Sequence, residues 1–261
     1  MREIQLQGLT NFGRYKSLLS ELVRKDVKNK YRNSVLGVLW SLLDPLLYMA
    51  VMTIVFSSLF HRVQNYPVYY LSGMLIYSLF RGGSSRAMRS LVSSAGIWKS
   101  IYVPKYLYSL SAVLSDFVTY AISMLILLGV MVVTHTQFTV YMIFASIPIL
   151  ITLGLTLGAG LILGTLNVFF RDVEHLYHVF TLLLMYMLPI FYPADIMPPQ
   201  FRFIQTYNPL FHIIAAMRAC FADGVLYDPI TLIYPAVFAI VLLILGFYML
   251  NRYQDRFILY V

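Results

Sequence analysis

The feature that most constrains this chain is a set of long apolar runs almost free of charge. Between Phe138 and Phe169 there is no Asp, Glu, Lys or Arg, and between Ile230 and Asn251 there is none either. A helix needs about 20 such residues to cross a hydrocarbon core about 30 Å thick. A soluble domain of this size has no interior large enough to hide them. The chain is 60% hydrophobic and 11% charged, against about 25% charged in ordinary soluble domains. These runs predict an all-α membrane protein, since a helix satisfies its backbone within its own segment.

Six transmembrane helices are predicted, at about 34–60, 66–92, 106–133, 138–169, 173–190 and 230–251. The second needs an argument. Its clean part, PVYYLSGMLIYSLF, covers ~21 Å of a ~30 Å core. It must therefore continue through Arg81 to about Val92. Residues 1–33 form a separate amphipathic interface segment before the transmembrane domain of 34–261. Within it Tyr15, Leu18, Leu19, Leu22 and Val23 share one helical face, and Asn11 is placed to cap the helix. Such a helix suits the membrane surface, its cations toward anionic lipid. No signal peptide is visible.

The net charge of +8 does not mark a nucleic-acid binder, because the cations are segregated along the chain. The first 33 residues hold eight Lys/Arg. Arg86, Arg89, Lys99, Lys105, Arg171, Arg252 and Arg256 fall on the same side of the six-span topology, whereas Arg62, Arg202 and Arg218 fall opposite. The positive-inside rule then puts both termini in the cytoplasm.

No catalytic, metal or nucleotide site is expected. GAGLILGT has glycines but no Lys, and it lies within a span. Glu174 and His178 share a helical face beside His175, without a third ligand in reach. The Gly154/Gly158 and Gly160/Gly164 spacings read as helix packing. Three charges lie inside spans: Asp44, Arg81 and Asp116. Span arithmetic puts all three at ~15–17 Å depth, which predicts that Arg81 pairs with Asp44 or Asp116. The competing reading is that Arg81 contacts an anionic part of a substrate. Mid-span Tyr48, Phe56, Tyr77, Phe117, Tyr120 and Phe180 are either candidate channel aromatics for sugar rings or ordinary packing. Between spans five and six, short helices broken by proline suggest a re-entrant outer hairpin, with Asn208 and Pro209 starting one of them.

Three stretches in order resemble the type-2 ABC exporter permeases for lipid-linked polysaccharides such as O-antigen. They are RKDVKNKYRNSVLGVLWSLLDPLLYMAVMTIVFSSLF, LIYSLFRGGSSRAMRSLVSSAGIWKSIYVPKYLYSLSAVLSDFV and LNVFFRDVEHLYHVFTLLLMYMLPIFYPADIMPPQFRFIQTYNP. The resemblance implies a channel formed with a second copy of the chain in a bacterial cytoplasmic membrane. It implies two separate ATPase subunits that hold ATP and Mg, and no cofactor in this chain. The implied load is an undecaprenyl-pyrophosphate-linked glycan. A coupling segment around Ile97, Trp98 and Lys99, with Arg171 and Asp172, would dock on the ATPase. Outer gate helices would be built around Tyr192, Pro193, Pro198, Pro199, Asn208 and Pro209. Tyr77 stands where relatives often carry Trp, and Asp44 and Asp116 are more charged than the usual residues. Alternatives within the fold are export of wall teichoic acid or capsular polymer. A drug or small-lipid exporter is disfavoured because only HRVQNYP joins the first two spans. A membrane-bound phosphotransferase is disfavoured because the outer acids Asp195, Asp223 and Asp228 are scattered.

Overall fold

The computed structural model describes residues 12–30, 32, 34–60, 63–100 and 103–260. Ten α-helices are described: α1 (Phe12–Lys30), α2 (Trp40–Phe56), α3 (Tyr66–Ser93), α4 (Ala95–Trp98), α5 (Tyr106–Val133), α6 (Ser146–Phe169), α7 (Val173–Met187), α8 (Arg202–Tyr207), α9 (Pro209–Phe221) and α10 (Ile233–Tyr253). No strand occurs among the described residues.

Among the described residues, four segments are long and apolar enough to cross a bilayer: Gly37–Phe56, Tyr106–Val133, Val140–Phe169 and Pro229–Leu259. The expected second and fifth spans are helices but miss that standard for different reasons. Helix α3 has 28 residues, ~42 Å, yet carries three arginines and a run of serines and glycines. Helix α7 has 15 residues, and Pro189 stops it short of the expected Ile190. Asn11, the expected cap of α1, lies outside the described residues.

Helix α3 is the axis of the bundle. Tyr70, Leu71, Ile76, Tyr77, Met88 and Leu91 along it are almost wholly buried, because α5 and α6 pack along its length and α9 covers its start. The glycine spacings of α6 serve this packing on two faces. A Cβ on Gly160 would lie 2.5 Å from Ala87 Cβ of α3, and one on Gly158 would lie 2.7 Å from the Leu242 backbone of α10. Neither approach leaves room for a side chain.

Helix α1 lies along α5. Its apolar face is directed to protein: Leu19 is buried, and Leu22 joins an apolar cluster with Trp98, Tyr108, Val168 and Phe257. Ser111 Oγ donates to Asp26 Oδ2 at 3.2 Å. Burial raises the Asp26 carboxyl above 3.8, against the opposing pull of Ser111, Lys25 and Arg86. The same cluster draws together α1, the α3–α5 connection, the end of α6 and the C-terminal segment. One end of the bundle thus holds most of the cations, and the segments around Pro189 and α9 lie at the other.

Candidate functional site

At the basic end, α3 and α7 bound a cavity of about 460 Å³. Ser78, Arg81, Ser85, Arg86 and Arg89 of α3 face Glu174, His175, His178 and Thr181 of α7 across it. On α3 the three- and four-residue spacing of Ser78, Arg81, Ser85 and Arg89 keeps them on one helical face, while Arg86 reaches the cavity from the side turned toward α5. Tyr77 OH donates to Thr181 O at 2.5 Å, and Ser84 Oγ meets Tyr177 OH at 2.6 Å. These two contacts staple α7 to α3 on either side of Arg81.

The three arginines are held differently. Arg89 Nη1 donates to Glu174 Oε1 at 3.1 Å, with both side chains about half exposed. Arg86 Nη2 is paired with Asp116 Oδ1 of α5, and Lys30 Nζ of α1 lies 3.8 Å from the same oxygen. Lys30 also donates to Thr119 Oγ1 at 3.1 Å. Arg81 lies beside the Tyr77 phenol and makes no ion pair with a described carboxylate.

The expected pairing of Arg81 with Asp44 or Asp116 is therefore corrected: the partner of Asp116 is Arg86. Asp116 does lie level with this part of α3, since a Cβ on Gly82 would lie 3.3 Å from Asp116 Oδ1. The face was wrong. Gly82 and Arg86, four residues apart, point together toward α5, whereas Arg81 is turned about 100° from Gly82, toward the cavity. Asp44 is exposed. It lines a neighbouring 220 Å³ cavity with Lys30, Tyr48, Ser78 and Thr119.

The candidate aromatics are divided. Tyr48 and Phe180 are 59% and 52% exposed, so neither is held in the packed core. Phe117 is half-buried and stacks on Tyr120. Tyr77 and Tyr120 are buried, and Phe56 stacks with Phe60, Tyr66 and Phe191. Phe56, Tyr77 and Tyr120 serve packing, because Tyr77 and Tyr120 belong to the main apolar core and Phe56 packs against it.

Helix α4 corrects a further expectation. Trp98 is only 7% exposed. Its indole N–H donates to Leu91 O at 2.8 Å, and Lys105 Nζ sits 4.9 Å over its ring. It anchors the loop inward and offers no free aromatic face. Ile97 beside it is 37% exposed, and Arg171 and Asp172 are exposed.

At the far end the sequence reading overlooked Arg218, counted there only as an outer cation. It is buried in α9. Nη2 donates to Pro189 O at 2.6 Å and Ile190 O at 3.2 Å, and Nε to Tyr69 O at 3.4 Å. The guanidinium lies 3.6 Å over the Tyr69 ring. Pro189 breaks the helix and leaves carbonyls without intrahelical donors. Arg218 supplies donors in their place, and Gly73 leaves room for it. An arginine inside an apolar 13-residue helix was the available signal. Asn208 caps α9 as expected, its side chain accepting from Leu210 N at 3.0 Å. Tyr192 OH donates to Tyr186 O at 2.8 Å, and Gln205 Nε2 to Ala194 O at 2.7 Å, folding the Pro193, Pro198 and Pro199 segment back on the bundle.

A helical bundle with several apolar spans is the architecture of a multi-pass membrane protein. The model of the ABC-2 type transporter family matches residues 17–222, and the chain belongs to that family. It is 32% identical to an O-antigen export system permease protein RfbA of Klebsiella pneumoniae, over 95% of this chain and 96% of the relative. A protein of the same name from Myxococcus xanthus is 26% identical, over 88% and 89% of the two chains. The polysialic acid transport protein KpsM of Escherichia coli is 23% identical, over 92% and 94%.

Proposed function

We propose that this chain is the transmembrane subunit of an ATP-driven exporter that moves a lipid-linked polysaccharide such as O-antigen across the cytoplasmic membrane. The observation that carries the reading is the near end-to-end likeness to O-antigen export permeases, which takes in the cavity, α4 and the far-end hairpin. In this reading α3 and α7 are the second and fifth of six spans, and both termini face the cytoplasm. Two copies form the channel, and two ATPase subunits holding ATP and Mg drive it. Ile97, Lys99, Arg171 and Asp172 form the docking surface for those subunits, with Trp98 fixing its shape from behind. The hairpin from Tyr192 to Pro209 gates the far end, and Arg218 fixes its base. An undecaprenyl-pyrophosphate-linked glycan is the load.

The test is complementation. A bacterial strain that makes O-antigen but lacks its own export permease should regain surface polysaccharide when it receives this chain with its ATPase. The purified permease alone should hydrolyse no ATP. Unchanged surface polysaccharide with both subunits assembled in the membrane would overturn the proposal.

A further inference from the structure

We infer that the cavity between α3 and α7 is a cradle for the diphosphate of the lipid-linked substrate, with Arg81 as its innermost contact. The inference rests on the exporter reading and adds the chemical group recognised and the residues that recognise it.

Three guanidinium groups line the cavity against one carboxylate, Glu174. Asp116, behind Arg86, is balanced by Lys30 as well. The cavity therefore carries a surplus of two positive charges, which matches the two negative charges of a diphosphate diester. Guanidinium groups are the side chains best shaped to take phosphate oxygens in pairs.

The arrangement is also graded. From Arg89 to Arg81 the ladder climbs α3 by ~12 Å. At the mouth, Arg89 is paired with Glu174, and its side chain is 49% exposed. Just under one turn in, Arg86 is paired with Asp116, and its side chain is 26% exposed. Deepest is Arg81, with no described carboxylate as partner and its position set by Tyr77. An anion entering from the basic end meets first an arginine that is paired and about half exposed, then one paired and more buried, and last one with no described carboxylate on it. A purely structural ladder would place a carboxylate on the innermost arginine, where an uncompensated charge is most costly. At about 460 Å³ the space also admits the first sugar beside the phosphates.

The test is binding of geranylgeranyl diphosphate to the full-length chain in detergent, with geranylgeraniol as the uncharged control. The wild type should prefer the diphosphate, with affinity falling as salt rises. Arg81→Gln should weaken diphosphate binding about tenfold, the effect of one charge-assisted contact, and leave geranylgeraniol binding unchanged. Glu174→Gln should tighten diphosphate binding, a gain that misfolding does not produce. Equal affinity of the wild type for the two probes, or unchanged diphosphate affinity in Arg81→Gln, would overturn the cradle. So would competition by phosphatidylglycerol as effective as that by the diphosphate, which would mark a general anionic-lipid site. Complementation separates the two readings: export by a wild type without diphosphate preference sinks the cradle alone. Diphosphate preference without export sinks the exporter reading and leaves the site.

Discussion

At the scale of single residues, the Asp116 carboxylate illustrates how charge is kept inside the bundle. One of its oxygens meets Arg86 and Lys30, while Oδ2 has no hydrogen-bond partner among the described residues. Removing Arg86 leaves that carboxylate with Lys30 alone. Arg86→Leu is expected to destabilise the protein by about 3 kcal/mol, the low end of the cost of breaking a buried pair from one side. The double variant Arg86→Leu with Asp116→Leu should recover most of the loss, because both desolvated charges are gone. Thermal unfolding in detergent measures both, and a double variant less stable than Arg86→Leu would contradict the account. Sequence spacing sets Asp116 level with the right part of α3, since rise per residue is nearly constant. It gave the wrong partner because which face of α3 turns to α5 depends on packing from several helices at once. Arg218 was missed for a related reason: its partners are backbone carbonyls, which no residue type announces.

At the scale of helices, the close approaches of α6 set the bundle. Gly160→Ala would put a methyl group 2.5 Å from Ala87 Cβ, so α3 and α6 must separate. A cost of about 1–3 kcal/mol is expected, as for other overpacked positions. Gly129→Ala is the control: nothing lies within 4 Å of a Cβ there, and its helix propensity should make it neutral or slightly stabilising. Circular dichroism melts of the two variants side by side check the contrast. The helices themselves were legible, with α5 starting and ending where expected and α3 within a residue. Composition marks four spans outright because their apolar residues face outward on several sides. It fails for α3, whose arginines are covered by neighbours, and for α7, whose length is cut by Pro189.

At the scale of the whole molecule, the proposed exporter would meet its ATPase at the basic end. Trp98 is part of the cluster that joins α1, α5, α6 and the C-terminal segment. Trp98→Ala should therefore cost about 3–5 kcal/mol in the isolated permease, as for other buried tryptophans. Ile97→Asp should leave the permease's own melting temperature unchanged and weaken its assembly with the ATPase. Co-purification from membranes reads the second effect, and thermal unfolding the first. If Ile97→Asp assembles as well as the parent, the docking surface lies elsewhere. The sequence identified the loop but not which of its two apolar residues faces out, because the indole's partner is a backbone carbonyl, Leu91 O, in the last turn of the preceding helix.

The burial of charge along α3 bears on how the protein is made. In the six-span reading α3 leaves the ribosome with Arg86 unmatched, and an arginine within a span costs up to about 2.5–3.5 kcal/mol on insertion, most at its centre. The carboxylate for Arg86 is encoded 30 residues downstream, so at ordinary synthesis rates of 5–20 residues per second it arrives roughly two to six seconds later. Until then α3 has no stable place of its own in the lipid. It must wait at the insertion machinery or the water interface and enter together with α5, so that two hydrophobically unequal spans are released into the membrane as one unit.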